Sequence, residues 1–132
     1  GWTIGPYQYT QDGARFDPTT LAWTYISGAG APYLAETGIA FNDTSMFVVG
    51  CAYTGNFWSP CGASNGAAVL DVATGQWTPI PTDATLGPTR QFSRGFAAVV
   101  RVGCGALVWG GAIPPEDSGD GTLTNDGALW VP

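Results

Sequence analysis

Asp17-Pro18-Thr19-Thr20-Leu21-Ala22-Trp23-Thr24-Tyr25-Ile26 comes back 54 positions later as Asp71-Val72-Ala73-Thr74-Gly75-Gln76-Trp77-Thr78-Pro79-Ile80. Asp, Trp, Thr and Ile keep one constant offset. Each copy follows a small-residue run, Asp12-Gly13-Ala14-Arg15-Phe16 in the first and Asn65-Gly66-Ala67-Ala68-Val69-Leu70 in the second. A third copy opens at Asn125-Asp126-Gly127-Ala128-Leu129-Trp130. The stretch upstream repeats as well: Met46-Phe47-Val48-Val49-Gly50 matches Ala106-Leu107-Val108-Trp109-Gly110-Gly111, and 15 positions separate Gly50 from Asn65 and Gly110 from Asn125. Self-similarity at a fixed period marks a repeat architecture, in which each unit buries its apolar face on the next.

The rest of the composition agrees with short strands. The 132 residues include 20 Gly and 10 Pro, a density of turn formers that punctuates the chain every few residues. Six Trp, five Tyr and six Phe supply core material, and only 11% of residues are charged, which argues against disorder. No long stretch shows the i, i+3, i+4 apolar spacing of an amphipathic helix. Four Arg, no His and ten acidic residues give a net charge of −6. Nucleic-acid binding needs a basic patch, so that class is excluded. No apolar run is long enough to be a membrane-spanning helix. The chain starts at Gly1 without a signal peptide and reads as a mature form or a processed piece.

An apolar strand ending in Gly-Gly, a variable loop, Asn-Asp, a strand, Asp-Pro-x-Thr and then Trp resembles the kelch repeat, and the resemblance runs over almost the whole chain. It departs in single copies: Cys51 follows Gly50, Pro6 follows Gly5, and Val72 follows Asp71. The resemblance is to kelch-repeat β-propellers of a bacterial, secreted type. It implies an all-β chain of about two and a half four-stranded antiparallel blades, residues 1–132 forming one partial propeller. With strands lettered a to d from the channel outward, 1–30 is an incomplete blade b-c-d, 31–86 a complete blade, and 87–132 an incomplete blade a-b-c. Strand b of the first blade falls near 2–5, with c at 14–16 and d at 22–26. The second has a at 38–41, b at 46–50, c at 67–70 and d at 76–80. The third has a at 95–102, b at 106–110 and c at 128–131. Gly5, Gly50 and Gly110 are then expected at equivalent b-strand ends.

Local chemistry supports that phasing. Asp17-Pro18-Thr19-Thr20 is a β-turn with Pro pre-set at its second position. Pro79 inside a strand pattern belongs on an edge, as the outermost strand of a blade is. Gly95-Phe96-Ala97-Ala98-Val99-Val100 is continuously apolar, as expected of a strand buried on both faces. Trp23 and Trp77 are expected to pack toward a neighbouring blade in equivalent places.

Candidate sites are few. Cys51 and Cys61 flank the b–c loop of the complete blade and are expected to form a disulfide, which implies an oxidising compartment. Cys104, in an a–b turn, is expected to be unpaired or to pair with another chain. Three Cys without His make poor zinc geometry, so neither metal nor cofactor is expected. Asp117 and Asp120, in the Glu116-Asp117-Ser118-Gly119-Asp120-Gly121 loop, offer hard oxygen ligands for calcium but not the EF-hand spacing; a solvated acidic loop is the plainer reading. The same carboxylates have nothing else beside them to make a glycosidase pair. Asn42-Asp43-Thr44 is a glycosylation sequon in an a–b turn. Tyr53, Phe57 and Trp58 put three aromatics in the longest b–c loop, where they either cap the blade or bind a sugar or a protein partner.

The functional expectation is a non-catalytic structural or protein-binding module, a segment of a larger extracellular, cell-surface or periplasmic assembly. Its partners are the remaining blades of the same propeller or other subunits, with a glycan as a further ligand. One alternative is a carbohydrate-binding module using the loop aromatics. Another is the propeller part of a larger extracellular enzyme. Kelch-like propellers include copper radical oxidases whose metal ligands are His and Tyr, and a chain without His cannot build that site alone. Incomplete outer blades leave open edges, which invite pairing with another chain. A homo-oligomer would have to supply the missing strands from elsewhere, which favours a hetero-complex or the remainder of a longer polypeptide.

Overall fold

The structure, a computed structural model, describes residues 10–53, 61–62, 66–81, 94–113 and 122–132. Among the described residues there is no helix, and every strand pairing is antiparallel. The first sheet is a hairpin, β1 (Gly13–Asp17) on β2 (Ala22–Ile26). The second contains β3 (Leu34–Phe41), β4 (Ser45–Tyr53), β5 (Cys61–Gly62), β6 (Ala67–Asp71) and β7 (Trp77–Pro79), in the order β3-β4-β6-β7 with β5 added at the far end of β4. The third joins β8 (Ala98–Val102) and β9 (Gly105–Trp109) to β12 (Gly127–Trp130), with β9 in the middle. Between β9 and β12 lies a short pair, β10 (Ala112–Ile113) with β11 (Thr122–Leu123).

The sequence repeat reappears as hydrogen-bond register. In the second sheet Ala40 faces Phe47 and Phe47 faces Val69; in the third, Val100 faces Leu107 and Leu107 faces Leu129. Every one of these positions is shifted by 60. The adjoining row Ile39-Val48-Ala68 recurs likewise as Val99-Val108-Ala128. At the shorter offset of 54, Phe16 faces Trp23 as Leu70 faces Trp77. Identical pairing follows because successive side chains alternate faces, so one apolar pattern admits one register wherever a face is buried.

The core lies between the second and third sheets. Phe47, Val49, Ala67 and Ile80 of the second pack against Ala106 and Val108 of the third, with Val99, Ala128 and Trp130 at its margin. Phe47 and Trp130 stack with ring centroids 5.4 Å apart. Gly38 permits the close approach of the two sheets: a Cβ there would overlap Val99 Cγ2 and come to 3.0 Å from the Ala97 carbonyl oxygen.

Turns between strands are held by side chains that cap backbone. Thr19 and Thr20 N–H donate to Asp17 Oδ1 at 2.8 and 3.3 Å, and Ala73 and Thr74 N–H donate to Asp71 Oδ1 at 2.9 and 2.8 Å. Asn42 does the same for Thr44 and Ser45 in the β3–β4 turn. A short carboxylate or carboxamide accepting from the backbone two and three residues on is the Asx-turn geometry that favours these residues there.

Several expectations need correction. Trp23 is exposed, whereas Trp77 is half-buried and donates its indole N–H to the Ser27 carbonyl at 3.2 Å. The cover on Trp77 is the 27–30 connection preceding β3; among the described residues no such segment lies over Trp23. The 95–100 run is not buried on both faces. Phe96 is exposed with φ at 56°, β8 begins only at Ala98, and Val100 is exposed, since among the described residues nothing lies over that face. Strand β4 does not end at Gly50 but continues to Tyr53, because pairing with β5 gives its last residues a partner. Gly50 and Gly110 do share a bond, donating N–H to the Gly66 and Asp126 carbonyls at 2.8 Å each, but only Gly110 has a positive φ. The strand expected near 2–5, and with it Gly5, lies outside the described residues.

Candidate functional site

A groove of about 440 Å3 opens between the first sheet and the rear face of the second. That size falls among small-molecule sites. Its walls are apolar where strand alternation turns Ile26, Leu34, Met46, Val48, Leu70 and Trp77 to one side, and polar at the rim, where Gln11, Asp12 and Arg15 stand. Two rim side chains are committed to holding the sheets together. Arg15 Nη1 donates to the Val72 carbonyl at 2.9 Å, and Gln11 Nε2 donates to the Ala31 carbonyl at 2.7 Å. The chemistry on offer is burial of apolar surface.

A second polar centre sits at the base of the β9–β12 connection. Arg94 is fully buried. Its Nη1 donates to the Gly110 and Asp126 carbonyls at 3.1 Å each, to Thr124 Oγ1 at 3.1 Å, and to Asp126 Oδ1 at 3.0 Å. The guanidinium therefore ties together both sides of the connection that contains β10 and β11. The hydrogen bond from Arg94, seconded by Thr124, holds the Asp126 carboxyl below the usual aspartate range. Backbone N–H donors do the same for Asp17, from Thr19 first, and for Asp71, from Thr74 first.

The residues singled out in the sequence are not gathered into one site. Tyr53 is in β4, where its backbone pairs with Cys61 of β5; Phe57 and Trp58 lie outside the described residues, as do Asp117 and Asp120. Cys51 is fully buried and disulfide-bonded, and Cys104 is a free, exposed thiol in the β8–β9 turn. Asn42 occupies the β3–β4 turn, its Oδ1 engaged by the cap. Among the described residues no group of three His, Cys, Asp or Glu is placed to hold a metal ion, and no helix is long and apolar enough to cross a membrane.

Sequence reasoning missed both arginine roles and the groove. The scarcity of basic residues was the available signal: with only four Arg in the chain, each is a rare donor of several hydrogen bonds, and two of them bind carbonyls across segments. The groove was readable from alternation, since Met46, Val48 and Leu70 share one face. Compared with models of known protein families and with curated proteins, the chain matches none.

Proposed function

We propose that this chain is a non-catalytic structural or protein-binding module, a stretch of about two and a half blades of a kelch-like β-propeller that serves as a segment of a larger secreted or cell-surface assembly. The observation that carries the reading is the recurrence of cross-strand pairs at 60 and 54 positions through three successive sheets. Repeated four-stranded antiparallel sheets that bury one face on the next are the building plan of a propeller, and the order β3-β4-β6-β7 is that of a blade. Its partners are further blades of the same polypeptide or other subunits. An extracellular or periplasmic place is supported by the disulfide state of Cys51, since such bonds persist in oxidising compartments. The pairing we assign is Cys51 with Cys61; two residues along β4 from Cys51, Tyr53 pairs with Cys61 of β5, and Cys104 is free.

The test is the mass of the native particle that contains this chain, isolated without denaturant, with disulfide mapping of unreduced peptides. A particle several times heavier than 13.7 kDa and a Cys51–Cys61 linked peptide are expected. A discrete 13.7 kDa monomer overturns the assembly. A Cys61 thiol open to alkylation overturns the pairing.

A further inference from the structure

The two ends of the sheet stack carry the two halves of a contact that the chain already makes once internally. In the middle of the stack, the row Ala40-Phe47-Val69 faces the third sheet, and Phe47 is only 4% exposed beneath Trp130. Sixty positions on, Val100-Leu107-Leu129 holds the same place and the same direction in the third sheet. Yet Val100 is 56% and Leu129 57% exposed, and Trp109 beside them is exposed too. What covers the buried row is the rear face of the next sheet, led by Trp130. That rear face also recurs: Trp130 corresponds to Leu70 in the second sheet, and Leu70 to Phe16 in the first. Phe16 and Trp23 pair across β1 and β2 with ring centroids 5.0 Å apart, and Tyr25 lies on the same face. This rear face is bare, with Trp23 and Tyr25 each 69% exposed.

We propose that the forward face of the third sheet in one copy of this chain seats the rear face of the first sheet in a second copy. Phe16 of the second copy lies over Leu107 as Trp130 lies over Phe47, and Trp23 and Tyr25 cover Val100, Trp109 and Leu129. The occupant is a second copy because both complementary faces are exposed on the same chain, in the register that its own repeat dictates. Contact is face to face, so no strand has to be added to an open edge. It is head-to-tail, and such contacts either close into rings or run on as filaments. Both faces are apolar, and apolar sheet faces of this kind gain stability by burial against one another. The proposal rests on the repeat-module reading above, but its test does not: a chain that stays monomeric when pure can still belong to a larger native particle.

The test uses the purified chain in sedimentation velocity over a concentration series, with Cys104→Ser to prevent adventitious cross-links. Wild type should sediment as oligomers that dissociate on dilution. L129D and W23D, each altering one exposed face, should each be impaired alone, with the dissociation constant raised at least tenfold. Mixed together they should form a one-to-one dimer that grows no further, because each retains one intact face. The companion measurement is oxidative cross-linking of F16C with L107C, which should link the two variants to each other and neither to itself. A wild-type chain that stays monomeric at high concentration overturns the proposal. So does a mixture that fails to pair, or an L107C variant that links to itself.

Discussion

Leu21 holds φ at 56°, in the left-handed region, at the point of the β1–β2 turn where the β6–β7 turn has Gly75 at 71°. A side chain there brings Cβ against the following carbonyl, at a cost of roughly 1–2 kcal/mol, while Gly gives back about 0.5–1 kcal/mol in unfolded-state entropy. Leu21→Gly should therefore stabilise the chain by about 0.5 kcal/mol, and Gly75→Leu should destabilise it by a similar or larger amount, both read from urea unfolding. Carboxylates belong to the same scale. Asp17, Asp71 and Asp126 are all held below the usual aspartate range, because backbone or Arg94 donors favour the charged form. Groups depressed in this way contribute stability that is present above the unfolded pKa and is lost as pH falls through the folded one. Thermal midpoints should be level near neutrality and fall below pH 4, with Asp71→Ala lowering the plateau and flattening the fall. A midpoint that rises on acidification below pH 4 would contradict this account of the caps.

Strands and their junctions explain which repeats can pack. Gly38 on β3 sits where β8 crosses, and its missing Cβ is what lets Val99 approach. Inserting a methyl there overpacks the core, which typically costs about 1–3 kcal/mol. Gly38→Ala should show that loss in denaturant unfolding. The Gly38→Ala, Val99→Ala double variant should recover part of it, with a coupling of at least about 0.5 kcal/mol. Additive losses would mean that the two residues do not meet. The same register argument accounts for β4, whose extension past Gly50 replaces the Gly-Gly stop with a pairing to β5. It also accounts for Pro79, tolerated because, among the described residues, β7 is the last strand of its sheet with no outer neighbour to bond.

At the scale of the whole molecule, among the described residues the first, second and third sheets are stacked and the outermost faces are exposed. Exposed apolar faces of this extent mark interaction surfaces. The chain carries a net charge of −6, so copies repel one another at low ionic strength. Self-association should therefore tighten as sodium chloride rises from 20 to about 300 mM, a range over which the Debye length shrinks from roughly 20 Å to below 10 Å. Sedimentation at both salt concentrations checks this; weakening with salt would point to ion pairs instead of apolar burial as the source of the contact.

The amino-acid sequence determined the strand content, the phase of the repeat and the turn chemistry. These depend on local pattern alone: period-two apolar runs, Asp at the head of a turn, Pro at an edge, and constant offsets that hold whatever the chain folds against. Neighbouring strands β3, β4, β6 and β7 of the second sheet follow one another in chain order for that reason. Only the tertiary structure decided which of the repeated residues are buried. Trp23 and Trp77 read alike, as do Val100 and Ala40, yet Trp23 and Val100 are exposed while Trp77 is half-buried and Ala40 buried. Burial depends on what stands opposite a face, and a residue's own neighbours in sequence carry no record of that. The roles of Arg15 and Arg94 were hidden likewise, because Arg15 and, in part, Arg94 bind main-chain carbonyls, which every residue has, and only folding brings these and the Thr124 and Asp126 side chains within reach.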